Sequence, residues 1–185
     1  SNPMPKTVSY EVGFEQALRD AYLLRMGGYY KDNSLQSKTV WYQSIDSEVS
    51  YYKSQPYNYS DTRGLEFSLS KNMGDLRGYF NYTYSVRTQG NFGWGSQYEN
   101  DVTQATYELT TTDHYQIKPV AEPFASANLE YVAPKSMGPL ADFRVTLNGG
   151  WRAGRHFTWV GPGGATIPGV NNNIQMRDFF FLNAR

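Results

Sequence analysis

Leu76-Arg77-Gly78-Tyr79-Phe80-Asn81-Tyr82-Thr83-Tyr84-Ser85-Val86-Arg87 is the stretch on which the fold turns. Its even positions carry Leu76, Phe80, Tyr82, Tyr84 and Val86, with Gly78 between them, while its odd positions carry Arg77, Tyr79, Asn81, Thr83, Ser85 and Arg87. Successive side chains point to opposite sides only when the backbone is extended, so this period of two reads as a strand with one apolar and one polar face. Immediately upstream, Arg63 to Lys71 repeats the code, with Leu65, Phe67 and Leu69 opposed to Gly64, Glu66, Ser68 and Ser70. Asn72-Met73-Gly74-Asp75 between them has the composition of a tight turn, which makes the pair an antiparallel hairpin.

The same pattern extends outward in both directions. Towards the N-terminus, Thr7 to Glu15 alternates through Val8, Tyr10, Val12 and Phe14, and a turn at Leu18-Arg19-Asp20 leads into Tyr22 to Tyr30. Towards the C-terminus, Phe124 to Val132 and Ala141 to Trp151 alternate on either side of a compact Pro134 to Pro139 turn. Ile174 to Arg185 reads as a last strand of lower quality, because Asp178 falls on its apolar parity. About seven strands result, separated by long polar loops at about 31–62, 88–123 and 152–173. The chain is therefore expected to be all-β, an antiparallel meander forming a single structural unit over residues 1–185.

Three features favour a transmembrane β-barrel over a soluble sheet. The connections alternate short, long, short, long, as they do when a meander crosses a membrane with tight turns on one side and long loops on the other. The polar faces also hold Glu11, Arg25, Glu66, Arg77, Glu130 and Arg144 in mid-strand, and a dry core would not accept such charges without partners. The apolar faces place Tyr10, Tyr30, Tyr84, Tyr131 and Trp151 towards strand ends, which suits a membrane interface. A soluble antiparallel sheet packed on one face would give the same alternation and stands as a rival reading. Barrels close with even strand numbers, so seven strands, and a chain that stops at Arg185 within strand-like sequence, suggest a piece of something larger.

Composition agrees. Sixteen tyrosines, ten phenylalanines and four tryptophans accompany a charged fraction of 18%, and no run is long and apolar enough for a transmembrane helix. Seventeen basic and seventeen acidic residues balance, with no basic stripe, so a nucleic-acid partner is not expected. The absence of cysteine removes disulfides, thiolate metal sites and cysteine nucleophiles. Ser1-Asn2-Pro3-Met4-Pro5 lacks the regions of a signal peptide, so either a signal has been removed or the chain begins within a longer protein.

In the same register, Asn2-Pro3 followed by Pro5-Lys6-Thr7-Val8-Ser9-Tyr10-Glu11-Val12-Gly13-Phe14-Glu15 resembles the opening of a late barrel strand in TonB-dependent outer-membrane receptors. Leu23-Leu24-Arg25 with Tyr29-Tyr30-Lys31-Asp32, Arg63 to Leu69, and Phe80 to Ser85 are similar to successive strands of that family, in order. Val145 to Arg152 and Phe180 to Arg185 again look like receptor strands, whereas Asp113-His114-Tyr115-Gln116 only faintly echoes the family's aromatic, acidic, basic and histidine segment. The resemblance implies a bacterial outer-membrane location, a barrel of about 22 strands plugged by an N-terminal domain, and uptake of a scarce ligand. That uptake would be energised by the TonB complex through parts that this sequence does not contain. The partners so implied are outer-membrane lipid, an unknown transported ligand and other surface proteins. A passive outer-membrane channel remains a second reading.

No catalytic motif is present, and the chain is read as neither an enzyme nor a cofactor protein. His114 and His156 have no carboxylate or second histidine at ligand spacing, so no metal site is expected. Glu99-Asn100-Asp101 has oxygens suited to calcium but reads more simply as a solvated acidic turn. The candidate contact residues are loop aromatics: Trp41, Tyr42, Tyr51, Tyr52, Tyr57, Tyr59, Trp94 and Tyr98. Rings of this kind offer large contact area at low entropic cost, or else pack the loops against one another.

Overall fold

The computed structural model describes residues 3–19, 21–111, 116–164 and 170–185. The protein is all-β. Its main sheet takes the path β1 (Lys6–Leu18), β2 (Tyr22–Gln43), β3 (Ser50–Lys71), β4 (Leu76–Asn91), β7 (Phe124–Val132), β8 (Arg144–Arg152) and β11 (Phe179–Ala184), each strand antiparallel to its neighbours. Two short strands attach to it: β5 (Ser96–Tyr98) runs parallel to β2, and β6 (Ile117–Ala121) pairs with β4. Helix α1 (Asp101–Thr110) lies between them. A separate ribbon joins β9 (His156–Phe157) to β10 (Ile174–Gln175). The sheet is open, with β1 and β11 at the two ends of the path.

Register carries each strand's parity across the whole sheet. Phe14 pairs with Met26, Met26 with Phe67, Phe67 with Tyr82, Tyr82 with Ala125, Ala125 with Trp151, and Trp151 with Phe180. The neighbouring row runs Leu24, Leu69, Phe80, Ala127, Gly149, Leu182. A slip of one residue in any pairing would have put half of these on the opposite face, so one shared apolar surface across seven strands requires every register to be correct. The other face reads Glu15, Arg25, Ser68, Asn81, Ser126, Gly150, Phe181 along one row, with ion pairs Arg25–Glu15 at 2.6 Å and Arg144–Glu130 at 3.1 Å.

Neither face is covered. A sheet normally buries one side under a second layer, yet every substantial contact between elements here is a ladder between paired strands, apart from α1 against β5. Val40 and Ala133 are the buried apolar side chains among the described residues, while Leu65 is 64% and Phe180 69% exposed. The apolar surface has charged ends. On β3 it is bounded by Arg63 and Lys71, which share its parity. Lys71 turns its ammonium away from the band, onto the carbonyls of Met73 and Leu76 and to 5.8 Å from the Tyr22 ring centre. Between these two residues the strand rises by about 26 Å at 3.3 Å per residue.

Three features differ from the sequence reading. The long loop expected at 31–62 is mostly hydrogen-bonded hairpin, because β2 and β3 continue through it and leave only 44–49 as a turn. With both faces of this extension in polar surroundings, its residues need not alternate, and the period-two signal disappears although the ladder does not. Loop 88–123 contains the end of β4, then β5, α1 and β6, and loop 152–173 contains β9 and a short turn at Pro162–Gly164. The last strand is divided: β10 ends at Gln175 and β11 begins after Asp178, so that residue does not occupy an apolar position in the sheet. The Asp20 position of the first turn and the Asp113-His114-Tyr115 segment lie outside the described residues.

Candidate functional site

Beyond Tyr30, β2 continues for a further stretch to Gln43 that measures about 43 Å at 3.3 Å per residue. Irregular pairing at Asn33, Gln36 and Lys38 bends the hairpin there, with Leu35 at φ 57°. The segment after β4 folds back onto this projection. Trp41 donates its backbone N–H to Gly95 at 2.9 Å, Glu99 donates to Gln43 at 3.0 Å, and β5 lies parallel to residues 41–43.

Rings fill the junction. Trp41 meets Tyr98 edge-on at 5.5 Å, Tyr98 meets Tyr107 at 5.6 Å, and Trp94 meets Tyr107 at 6.2 Å. The Tyr107 hydroxyl accepts from the backbone N–H groups of both Gly95 and Ser96 at 3.1 Å. Helix α1 delivers Tyr107 to this position. Asn100 caps the helix by accepting from Val102 and Thr103, and Gln104 accepts from the Tyr98 N–H at 2.8 Å. Glu99-Asn100-Asp101 is therefore a helix start, with Glu99 accepting from the Ile45 N–H.

Of the eight aromatics singled out in the sequence, Trp41, Trp94 and Tyr98 belong to this cluster around Tyr107. Tyr59 stacks on Phe92 at 4.5 Å, and Tyr57 lies so close to Gly93 that a side chain there would overlap its ring. Tyr42 stacks on Tyr51 at 5.2 Å and accepts a hydrogen bond from Gln55 at 2.7 Å. Tyr52, opposite Trp41, is 74% exposed, and Tyr51, Ile45 and Val49 nearer the turn are exposed as well. The structure thus divides the set into rings that hold the projection together and a smaller group at its tip. Tyr107 carries the centre of the cluster and is not among the residues singled out from sequence; the Asn100 cap before a helix-compatible run is the signal that could have found it.

At the tip itself, the Asp46 carboxylate accepts from the Ser44 hydroxyl and the Glu48 N–H. These bonds, the Ser44 one first, hold its carboxyl below the usual carboxylate range. A depressed acid stabilises the fold above its unfolded pKa and loses that contribution as pH falls through the folded value. Protection of the Glu48 amide, taken relative to its intrinsic exchange rate, should therefore hold down to about pH 4 and fall below it, and Asp46→Ala should lack that protection at neutral pH. Equal protection in both proteins at pH 7 would contradict this.

His156 sits in β9, with its Nδ1 buried and without a hydrogen-bond partner, and His114 lies outside the described residues. Among the described residues, no group of three His, Asp or Glu side chains gathers as a metal site would require, and no helix is long and apolar enough to cross a membrane. Comparison with protein-family models, with curated proteins and with solved structures finds no match for this chain.

Proposed function

We propose that this chain is wall and external projection of an outer-membrane β-barrel of the TonB-dependent receptor kind, serving energy-coupled uptake of a scarce ligand. The observation that carries the reading is the single apolar face, continuous through seven strands in register, exposed, and edged on β2 and β3 by Arg63, Lys71 and Tyr22. Water does not tolerate a contiguous apolar surface of this extent on a soluble monomer. Lipid chains cover such a face without needing a second protein layer, and the polar face, with ion pairs Arg25–Glu15 and Arg144–Glu130 on it, then looks onto a wet interior. The resemblance of Thr7–Glu15, Arg63–Leu69 and Phe80–Ser85 to receptor strands supports the receptor class within that architecture. The protein is read as a transporter or surface receptor and not as an enzyme.

The test uses the indole of Trp151, which belongs to the apolar parity. In the intact protein retaining only Trp151 and reconstituted in brominated phosphatidylcholine, emission should fall by at least half, whereas a protein retaining only Trp41 should be unaffected. An unquenched Trp151, or a protein that stays dispersed in buffer without detergent, would rule out the membrane assignment.

A further inference from the structure

On the polar face, where β8 and β11 approach the ribbon of β9 and β10, a cleft of about 530 Å³ gathers Arg152, Arg155 and Arg177 beside Phe124, Phe179 and Phe181. The chain as a whole is electrically balanced, with 17 basic and 17 acidic residues, yet among the described residues no Asp or Glu lines this cleft. Among the described residues, none of the three guanidinium groups has a carboxylate or a hydrogen-bond acceptor. Three other arginines of the same face have partners: Arg25 and Arg144 are paired with Glu15 and Glu130, and Arg77 donates to the Gly74 carbonyl; Arg87, also on that face, stands alone among the described residues.

The three cations are held together by backbone. Gly154 lies directly against Met176, where any Cβ would overlap the Met176 carbonyl. The Gly154 N–H donates to Asp178 at 2.9 Å, the Met176 N–H donates to the Arg155 carbonyl at 2.9 Å, and the Ala153 N–H donates to the Pro123 carbonyl at 3.0 Å. Asp178 accepts there and from the Trp151 indole at 3.0 Å, and it is not among the residues that line the cleft. Those two donors, Gly154 first, hold its carboxyl below the usual range. The β8–β11 register places Arg152 directly opposite Phe179, and Gly150 opposite Phe181 leaves room for that ring to lie over the sheet.

From this we infer that the cleft is a binding subsite for a water-borne organic anion, a carboxylate or phosphate ester carried on an aromatic or apolar body. Guanidinium forks suit planar oxyanions and make charge-assisted bonds roughly twice as strong as neutral ones. The volume lies within the roughly 300–1,000 Å³ range of small-molecule pockets. The phenylalanines give the ligand's body a surface that inorganic phosphate would not use. Arg152, Phe179 and Phe181 have the parity opposite to Trp151 and Phe180, so the ligand comes from the aqueous side and is not a membrane lipid. The inference shares with the proposed function only the premise that this face is wet.

The intact protein in a phosphate-free detergent, titrated calorimetrically with phenyl phosphate, inorganic phosphate and phenol, provides the test. Phenyl phosphate should bind in preference to both others. Single substitutions Arg152→Gln, Arg155→Gln and Arg177→Gln should each weaken it roughly tenfold, and Arg177→Lys should fall between. Phe181→Ala should weaken phenyl phosphate but leave inorganic phosphate unchanged, while Arg77→Gln should change neither. Absence of phenyl phosphate binding to the unaltered protein, or binding that survives the triple Gln substitution, would overturn the assignment. Because the Trp151 quenching experiment reads lipid contact separately, anion binding with an unquenched Trp151 would sink the barrel reading and leave the cleft standing.

Discussion

Phe67→Arg should cost about 2–4 kcal/mol of folding free energy in a bilayer, the penalty of placing a cation near the middle of the band proposed to face lipid. Phe67 lies midway between Arg63 and Lys71 on β3, flanked by Met26 and Tyr82, with the Phe80 ring 6.1 Å away. A guanidinium at this position has apolar neighbours on both sides and sits at the greatest distance from either charged border. The adjacent Glu66 points to the other face, so Glu66→Arg should change stability by less than about 1 kcal/mol. Reversible urea unfolding from phosphatidylcholine vesicles measures both. Equal costs at the two positions would show that the faces do not meet different media, and a cheap Phe67→Arg would place that side chain in water.

Gly154→Ala should be at least as damaging, by about 3 kcal/mol or more, although it adds one methyl group. The new Cβ would overlap the Met176 carbonyl, and both partners are backbone, so no flexible side chain is available to yield. Relief requires the chain after β8 to separate from the chain before β11, which breaks the Gly154–Asp178 and Met176–Arg155 bonds. The melting temperature should drop by several degrees, and phenyl phosphate binding should be lost with it, since Arg155 and Arg177 are brought together by this crossing. Gly163→Ala has open space around it and supplies the control for a glycine in the same connection, with only the modest cost of its φ of 80°. Indistinguishable melting of Gly154→Ala and the unaltered protein would mean that the crossing is not close packed.

The strands were legible where the two faces meet different surroundings. Leu76 to Arg87 announced itself because Phe80, Tyr82 and Tyr84 must all lie on one side and Asn81, Thr83 and Ser85 on the other. The same rule hid the outer part of the β2–β3 hairpin. Around Lys38 to Gln43 and Ser50 to Tyr57 both faces are polar or carry rings, so the ladder continues without a pattern to betray it. Helix α1 escaped for a related reason: it buries no residue, and without an apolar stripe only its Asn100 cap distinguishes it from loop. The aromatic cluster was half visible. Trp41 and Tyr98 could be chosen as rings in polar surroundings, but their contact depends on β5 pairing in parallel with β2, and no local spacing encodes that. The arginine cleft was not legible at all, because Arg152 and Arg155 meet Arg177 only through the crossing at Gly154.

The β2–β3 ladder has a mechanical consequence. The same two strands that form part of the main sheet run on to the turn at Ser44 to Val49, braced by Trp41, Tyr98 and Tyr107. A load applied at Tyr52 would pass down a stiff lever instead of being absorbed by slack chain, and the irregular pairing near Leu35 is the point at which that lever would flex.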